Sequence, residues 1–410
     1  MKADLIIRSN SIITCRDDVP LEIINGYVAV QRDLIIGVGG GEAPLEYYGP
    51  DTRFIEARGK TVIPGLIDAH THLIHGGSRE NELLLKLRGA SYLEILKSGG
   101  GILSTVANTR NASREALKEK ARHSLDQMLM HGTTTVEAKS GYGLDLETEL
   151  KCLELARELN EEHPMDIIST YMGAHAIPWE YKENSRGYVD LMIEKVMPAV
   201  AQQGLAEFMD VFCEEGVFSP EEAKILMQSG AELGFKIKIH ADEIIPLQGA
   251  ELAAQMHAVS AEHLVAASDE GLDAMSKAGV TAVLLPGTSF YLMLDKYADA
   301  RKMLEKGIRV ALATDYNPGT CPTENLQTIM TFACFGMKLS ASEIIKGMTI
   351  NAAHAVDRAR EIGSLEVGKK ADLVILDAPN WDYVVYHFGV NHVDQVIKSG
   401  TVVVEGGRII

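Results

Sequence analysis

The chain has 410 residues, 39 Lys and Arg against 57 Asp and Glu, a formal net charge of -18 and 46% hydrophobic residues. That length and apolar content suit one large catalytic unit with a smaller companion. The acidic balance argues against nucleic acid, whose binders carry basic patches, and makes any anionic substrate depend on a local cation. Cys15, Cys152, Cys213, Cys321 and Cys334 are scattered with no C-x-x-C pair, the usage of a cytoplasmic protein with reduced thiols. The first residues contain no signal-peptide pattern, and no stretch reaches the roughly 18 apolar residues of a membrane span.

In chain order, the first 60 residues read as short strands with turns, at Asp4–Ile7, Gly26–Gln31, Leu34–Val38 and Arg53–Glu56. The C-terminal strands Asp372–Leu376, Val393–Ser399 and Val402–Glu405 read the same way. Each end alone is too small to close a core, so residues 1–60 and 364–410 are expected to pair into one small β-sandwich-like domain. Between them, residues 61–363 alternate β-rich runs with helical segments. Strands are expected at Thr61–Asp68, Thr133–Ala138, Asp166–Met172, Phe208–Phe212, Lys236–Ile239, Val259–Ala261, Thr281–Leu285 and Arg309–Ala313. Eight strands in that alternation predict an α/β fold, a (β/α)8 TIM-type barrel. Ser219-Pro220-Glu221-Glu222 and Ser340-Ala341-Ser342-Glu343 are capping boxes that open helices. The long connection after the first barrel strand contains Gly99-Gly100-Gly101. No G-K-[ST] follows it, so it is no phosphate loop; it reads as a flexible element over the site or as a plain turn.

Barrel enzymes carry their chemistry at the C-terminal ends of the strands. Five of the 13 histidines fall there: His70 and His72 after the first strand, His175 after the third, His240 after the fifth and His263 after the sixth. Asp315 follows the eighth. On a strand, residues i and i+2 face the same side, so His70 and His72 can aim at one point. With His240 and Asp315 they make three nitrogens and one carboxylate, a donor set that suits Zn2+ or Fe2+. A fourth-strand lysine that could bridge two metals is absent from Val211-Phe212-Cys213-Glu214, so one ion is expected. Its water would fall from a pKa of about 15.7 towards 7. Glu243, three residues past His240, is placed to move a proton to a leaving nitrogen, or to serve as a helix-start carboxylate. His263 would polarise a carbonyl or steady the hydroxide, or be a core histidine bonded to backbone.

Pro64-Gly65-Leu66-Ile67-Asp68-Ala69-His70-Thr71-His72, the lone His240, Ala313-Thr314-Asp315 and the segment Gly363–Leu373 resemble the amidohydrolase superfamily. Narrower blocks are similar to the imidazolonepropionase family within it. They are Gly76–Glu82, Lys139–Glu149, Gly173-Ala174-His175, Lys238–Asp242, Asp315–Thr320 and Tyr386–Asn391, which run in order along nearly the whole chain. The resemblance implies hydrolysis of 4-imidazolone-5-propanoate to N-formimino-L-glutamate, a step of histidine degradation. It implies that His70, His72, His240 and Asp315 hold the metal and that Glu243 and His263, with Asp315, serve catalysis. Arg79 would grip the propanoate, Tyr142 and His175 the ring side, and Asn317, Gly319 and Thr320 the product site.

A bidentate Arg–carboxylate pair would supply the cation that an acidic protein needs for an anionic substrate; the alternative for Arg79 is a structural salt bridge to Glu80 or Glu82. Tyr92 could add a hydroxyl there or lie in the core. Asp242, beside Glu243, could take its place; Lys139 reads as structural or as support behind the ligands. A ring deaminase of the same superfamily and a non-catalytic scaffold are the rival readings. The intact ligand set disfavours the scaffold, and the Arg79 and Tyr142 blocks disfavour the deaminase. A homodimer is expected, twofold assemblies being the commonest.

Overall fold

The computed structural model describes residues 2–16, 18–89 and 100–410; Tyr92 and Gly99 lie outside them. Near the N-terminus run β1 (Leu5–Ile13), β2 (Glu22–Gln31), β3 (Leu34–Gly40) and β4 (Arg53–Pro64). The centre contains β5 (Leu66–Thr71), β6 (Thr133–Lys139), β7 (Asp166–Ala174), β8 (Phe208–Cys213), β9 (Lys236–Ala241), β10 (Ser260–His263), β11 (Thr281–Leu284) and β12 (Val310–Leu312). β13 (Leu373–Leu376), β14 (Val393–Lys398), β15 (Thr401–Glu405) and β16 (Arg408–Ile409) complete the chain.

Two sheets result. The flanking sheet has the order β16-β15-β14-β13-β4-β1-β2-β3 and so combines both chain ends. β4 is its seam: Val62 pairs with Ile12 of β1 on one side and with Ile375 of β13 on the other. Leu5, Ile7, Val28, Val30, Val62, Leu373 and Ile375 form its buried core. The second sheet runs β5 to β12 in order, and every neighbouring pair is parallel. β5 also meets the chain after β12: Asp315 N–H donates to His70 O at 3.0 Å and Thr71 bridges Tyr316 in parallel. The expected (β/α)8 barrel is therefore present.

The barrel strands alternate as buried strands should. Val136, Ala138, Ile237, Ile239 and Leu284 join the large apolar cluster under the helices. Their neighbours Glu137, Lys139, Lys238 and, on β8 and β10, Asp210 and Glu262 form a polar layer inside the barrel, with fully buried side chains.

One expected strand needs correction. Thr61-Val62-Ile63, read as the start of the first barrel strand, ends β4 of the flanking sheet instead, and the barrel strand begins at Leu66. A β-branched run is equally suited to either sheet; what divides it is Gly65, where the backbone passes so close to β6 that a Cβ would lie 2.2 Å from Thr134 Oγ1. Both capping boxes form as expected, on the helices Pro220–Glu232 and Ala341–Gly347. The long connection between β5 and β6 holds helices at Asn81–Leu87, Ile102–Asn111 and Arg114–Met130. Gly101 precedes the second of these at φ 82°, a conformation that favours glycine. Among the described residues, no helix is long and apolar enough to cross a membrane.

Candidate active site

The parallel strands bring the predicted ligands to one end of the barrel. One ring nitrogen from each of His70, His72 and His240 lies within 4.8 Å of the others, and all three residues are buried. Asp315 closes the group: its Oδ1 is 3.5 Å from His70 Nε2 and 3.6 Å from His72 Nε2. Its Oδ2 accepts from Thr288 Oγ1 at 2.5 Å, which leaves Oδ1 turned to the imidazoles. His70 Nε2 and His240 Nε2 are buried with no hydrogen-bond partner. Buried polar atoms are normally paired, so two such atoms in a cluster of imidazoles beside a carboxylate are what a cation site requires. Burial lowers His70 and His72 well below the ordinary histidine value, which keeps them in the neutral, coordinating form. For His240 burial acts the same way, but the Asp210 carboxylate outweighs it and raises the value. This donor set fits a divalent ion.

Strand ends also carry the backbone that aims these groups. His263 and Asp315 sit at φ 65° and 57°, in the left-handed region that non-glycine residues seldom occupy and that concentrates at functional sites. His263 Nε2 lies 3.6 Å from Glu243 Oε2, and its ring centroid is 5.2 Å from that of His240. Burial, with Asp315 next, pushes the Glu243 carboxyl up to about 8. Asp242 is not its substitute. Its two oxygens accept backbone N–H groups from Leu247, Gly249 and Ala250 at 2.8, 3.0 and 2.9 Å, so its capacity is used in holding the start of the helix Gly249–Gln255.

An aromatic wall flanks the cluster. The His175 ring stacks on His72, with centroids 4.6 Å apart and planes 13° from parallel, and its Nδ1–H donates to Gly141 O at 3.1 Å. Tyr142 lies 5.2 Å from His175 and 5.7 Å from His72, centroid to centroid. The loop carrying Tyr142 is clamped by buried Glu149. One of its carboxylate oxygens accepts from Gly143 N and Leu144 N at 2.8 and 2.9 Å, and the other accepts from Gly141 N at 3.2 Å.

Arg79 meets the alternative partner that the sequence left open. Its Nε and Nη2 both donate to Glu82, each at 2.8 Å, so one edge of the guanidinium is held by the protein. Nη1 turns to Gly319, where a Cβ would lie 2.1 Å from it. Lys86 adds a second cation beside it, with Nζ 2.7 Å from Gly319 O. Asn317 uses its amide within its own loop: Nδ2 donates to Asp315 O and Thr320 Oγ1, and Oδ1 accepts from Gly319 N and Thr320 N. It shapes the rim beside Asp315 rather than offering a free amide.

Sequence reasoning missed Asp210 and Glu262, which bond the ligand histidines from behind, and Glu149, which holds the Tyr142 loop. The available signal was a charged residue alternating with apolar ones inside a buried strand, as in Phe208-Met209-Asp210-Val211. Lys139 does sit behind the ligands, donating to Asp210 at 2.6 Å.

Comparison with known proteins accords with this arrangement. The model of the Amidohydrolase family matches residues 61–403. The chain is 62% identical to the imidazolonepropionase of Treponema denticola, over 94% of this chain and 93% of that protein. It is 59% identical to that of Alkaliphilus oremlandii, over 95% and 92%. A mutant of the atrazine chlorohydrolase of Arthrobacter aurescens, solved with zinc and atraton, shares the fold at TM-score 0.74 and 18% identity, over 99% of this chain and 96% of that one. With a family model spanning most of its length and relatives this similar, the chain belongs to the amidohydrolase family, on its imidazolonepropionase branch.

Proposed function

We propose that this chain opens 4-imidazolone-5-propanoate with water to give N-formimino-L-glutamate. The observation that carries the hydrolytic reading is the buried cluster of His70, His72 and His240, with one carboxylate oxygen of Asp315 against the first two; relatives named imidazolonepropionase supply the substrate class. His70, His72, His240 and Asp315 would hold one divalent ion, Zn2+ or Fe2+, which when bound supplies Lewis acidity to the ring carbonyl and a low pKa to a water.

The protein's own groups do the rest. Glu243 takes a proton from the attacking water and gives it to the ring nitrogen. The water oxygen becomes part of the new carboxylate, and the bond between the carbonyl carbon and that nitrogen breaks. His263, within reach of Glu243, steadies the carbonyl oxygen as charge builds on it. Tyr142 and His175 offer flat contacts to the heterocycle. Arg79 meets the propanoate through the guanidinium edge that Glu82 leaves free, and Glu82 fixes the direction of that edge. Gly319 admits the guanidinium because it has no side chain. Thr320 and Asn317 line the same rim, where the product's new carboxylate leaves.

The test follows the ultraviolet loss of imidazolone on adding enzyme, with and without chelator, for the parent and Glu243→Gln. Loss of the proton carrier is expected to lower kcat by about 100-fold or more while one ion per chain is still bound. An unchanged rate in Glu243→Gln removes Glu243 from the mechanism. Ammonia released in place of formiminoglutamate favours the deaminase reading.

A further inference from the structure

Inside the barrel, behind the cluster, lies a layer of charge that the proposed chemistry does not consume. Glu137, Asp210 and Glu262 bring three carboxylates, and Lys139 and Lys238 bring two ammonium groups, all with fully buried side chains. Burying charge is costly unless each group is paired. Pairing accounts for most of the layer: Lys139 Nζ donates to Asp210 at 2.6 Å and to Glu137 at 3.1 Å, and Lys238 Nζ lies 2.9 Å from Glu137. One oxygen of Glu262 and one of Asp210 each meet a ligand imidazole from behind, while Glu137 Oε2 has no hydrogen-bond partner. Glu262 Oε2 is 3.0 Å from His70 Nδ1, and Asp210 Oδ1 is 3.1 Å from His240 Nδ1. The far nitrogens of the same two rings are the buried partnerless ones.

We propose that Glu262 and Asp210 are positioning residues that hold His70 and His240 as Nδ1–H tautomers and set the affinity of the cluster for its divalent ion. A carboxylate accepts, so Nδ1 carries the proton and Nε2 keeps its lone pair free for the cluster. The device serves two rings of three. His72 Nδ1 has no hydrogen-bond partner, and its ring is held instead by stacking on His175. The two carboxylates also differ. Asp210 is neutralised by Lys139 and additionally accepts the His240 backbone N–H at 3.2 Å, so it fixes main chain and ring together. On its other oxygen Glu262 receives the Ser260 hydroxyl, at 2.5 Å. Glu262 therefore holds its imidazole through the side chain alone, and Asp210 holds ring and main chain together.

This inference rests on the ligand assignment proposed above, and the experiment separates the two. Zinc affinity of the full chain is measured by competition with a chromophoric chelator, and the visible spectrum is recorded with cobalt in place of zinc. Glu262→Gln and Asp210→Asn are expected to bind zinc about 10- to 100-fold more weakly; metal-free Glu262→Gln is expected to unfold at the parent's temperature within a few degrees, and metal-free Asp210→Asn lower, because buried Lys139 loses a charge partner. Asp210→Asn is expected to change the cobalt bands as well, because the His240 ring is freed. Affinity within twofold of the parent in both variants overturns the proposal. Should Glu262→Gln fail to fold, Ser260→Ala tests the same link: it leaves Glu262 free to turn, and affinity is expected to fall about three- to tenfold. No fall there counts against the proposal equally. If the parent binds no stoichiometric zinc, or His70→Ala binds it as tightly as the parent, the ligand assignment itself fails, whatever Glu262 and Asp210 do.

Discussion

Replacing Glu149 by Gln tests whether a buried carboxylate, far from the reacting atoms in sequence, shapes the substrate wall. Glu149 is 1% exposed and accepts three backbone N–H groups from the loop on either side of Tyr142. Gln can keep its oxygen towards Gly143 and Leu144, but its nitrogen then faces the Gly141 N–H, donor against donor. A buried donor left without an acceptor costs about 1–3 kcal/mol, and the flipped amide sacrifices two bonds instead of one. Relief by a closer approach of the loop is blocked, because Gly143 is already packed so tightly that a Cβ there would lie 2.7 Å from Glu149 N. The strain therefore passes to the Tyr142 backbone. Each 1.4 kcal/mol that appears in binding is a tenfold change, so KM is expected to rise about tenfold, with kcat affected less. Imidazolone loss across a substrate series reads KM, and urea unfolding reads the stability. If KM stays within twofold and stability within about 0.5 kcal/mol, Glu149 does not organise the wall and the clamp is incidental.

Gly319→Ala should act on Arg79 with little effect on the fold. The added Cβ would lie 2.1 Å from Arg79 Nη1, the far end of a flexible side chain, so the guanidinium swings rather than the barrel yielding. KM for the anionic substrate is expected to rise severalfold with kcat nearly unchanged; an unaltered KM would mean that this edge of Arg79 meets no substrate. Asp166 ties the barrel to the flanking sheet by accepting from Lys398 at 2.8 Å and Lys370 at 3.3 Å. Burial pushes Asp166 up, but the two lysines outweigh it and hold it below its ordinary 3.8. A depressed carboxylate stabilises the fold above its unfolded value and loses that effect as pH falls through its folded value. The urea midpoint of Asp166→Asn should therefore lie below the parent's at pH 7, and the gap should close as pH is lowered below about 3.8. A gap that stays constant with pH would show that this ion pair does not couple the two sheets.

Alternation of strand and helix, an H-x-H after an apolar run, and single histidines and an aspartate at later strand ends were legible in the residues alone, because they depend on period-2 geometry and on one barrel rule. So were the capping boxes at Ser219 and Ser340, which are local in sequence. What stayed illegible depends on neighbours far apart in the chain. Thr61-Val62-Ile63 suits either sheet by composition, and only its pairing with Ile12 and Ile375 assigns it to the flanking one. Asp242 and Glu243 are adjacent and alike in type, yet backbone N–H groups of Leu247, Gly249 and Ala250 occupy the first and leave the second facing His263. Glu262 and Asp210 acquire their role only when a closed barrel sets them behind histidines from other strands. Residue chemistry and local periodicity thus determined which donors exist and on which elements, whereas the tertiary structure decided which carboxylates are free, which are occupied, and which imidazole nitrogen each one meets, because those outcomes are set by distances between segments that no spacing along the chain encodes.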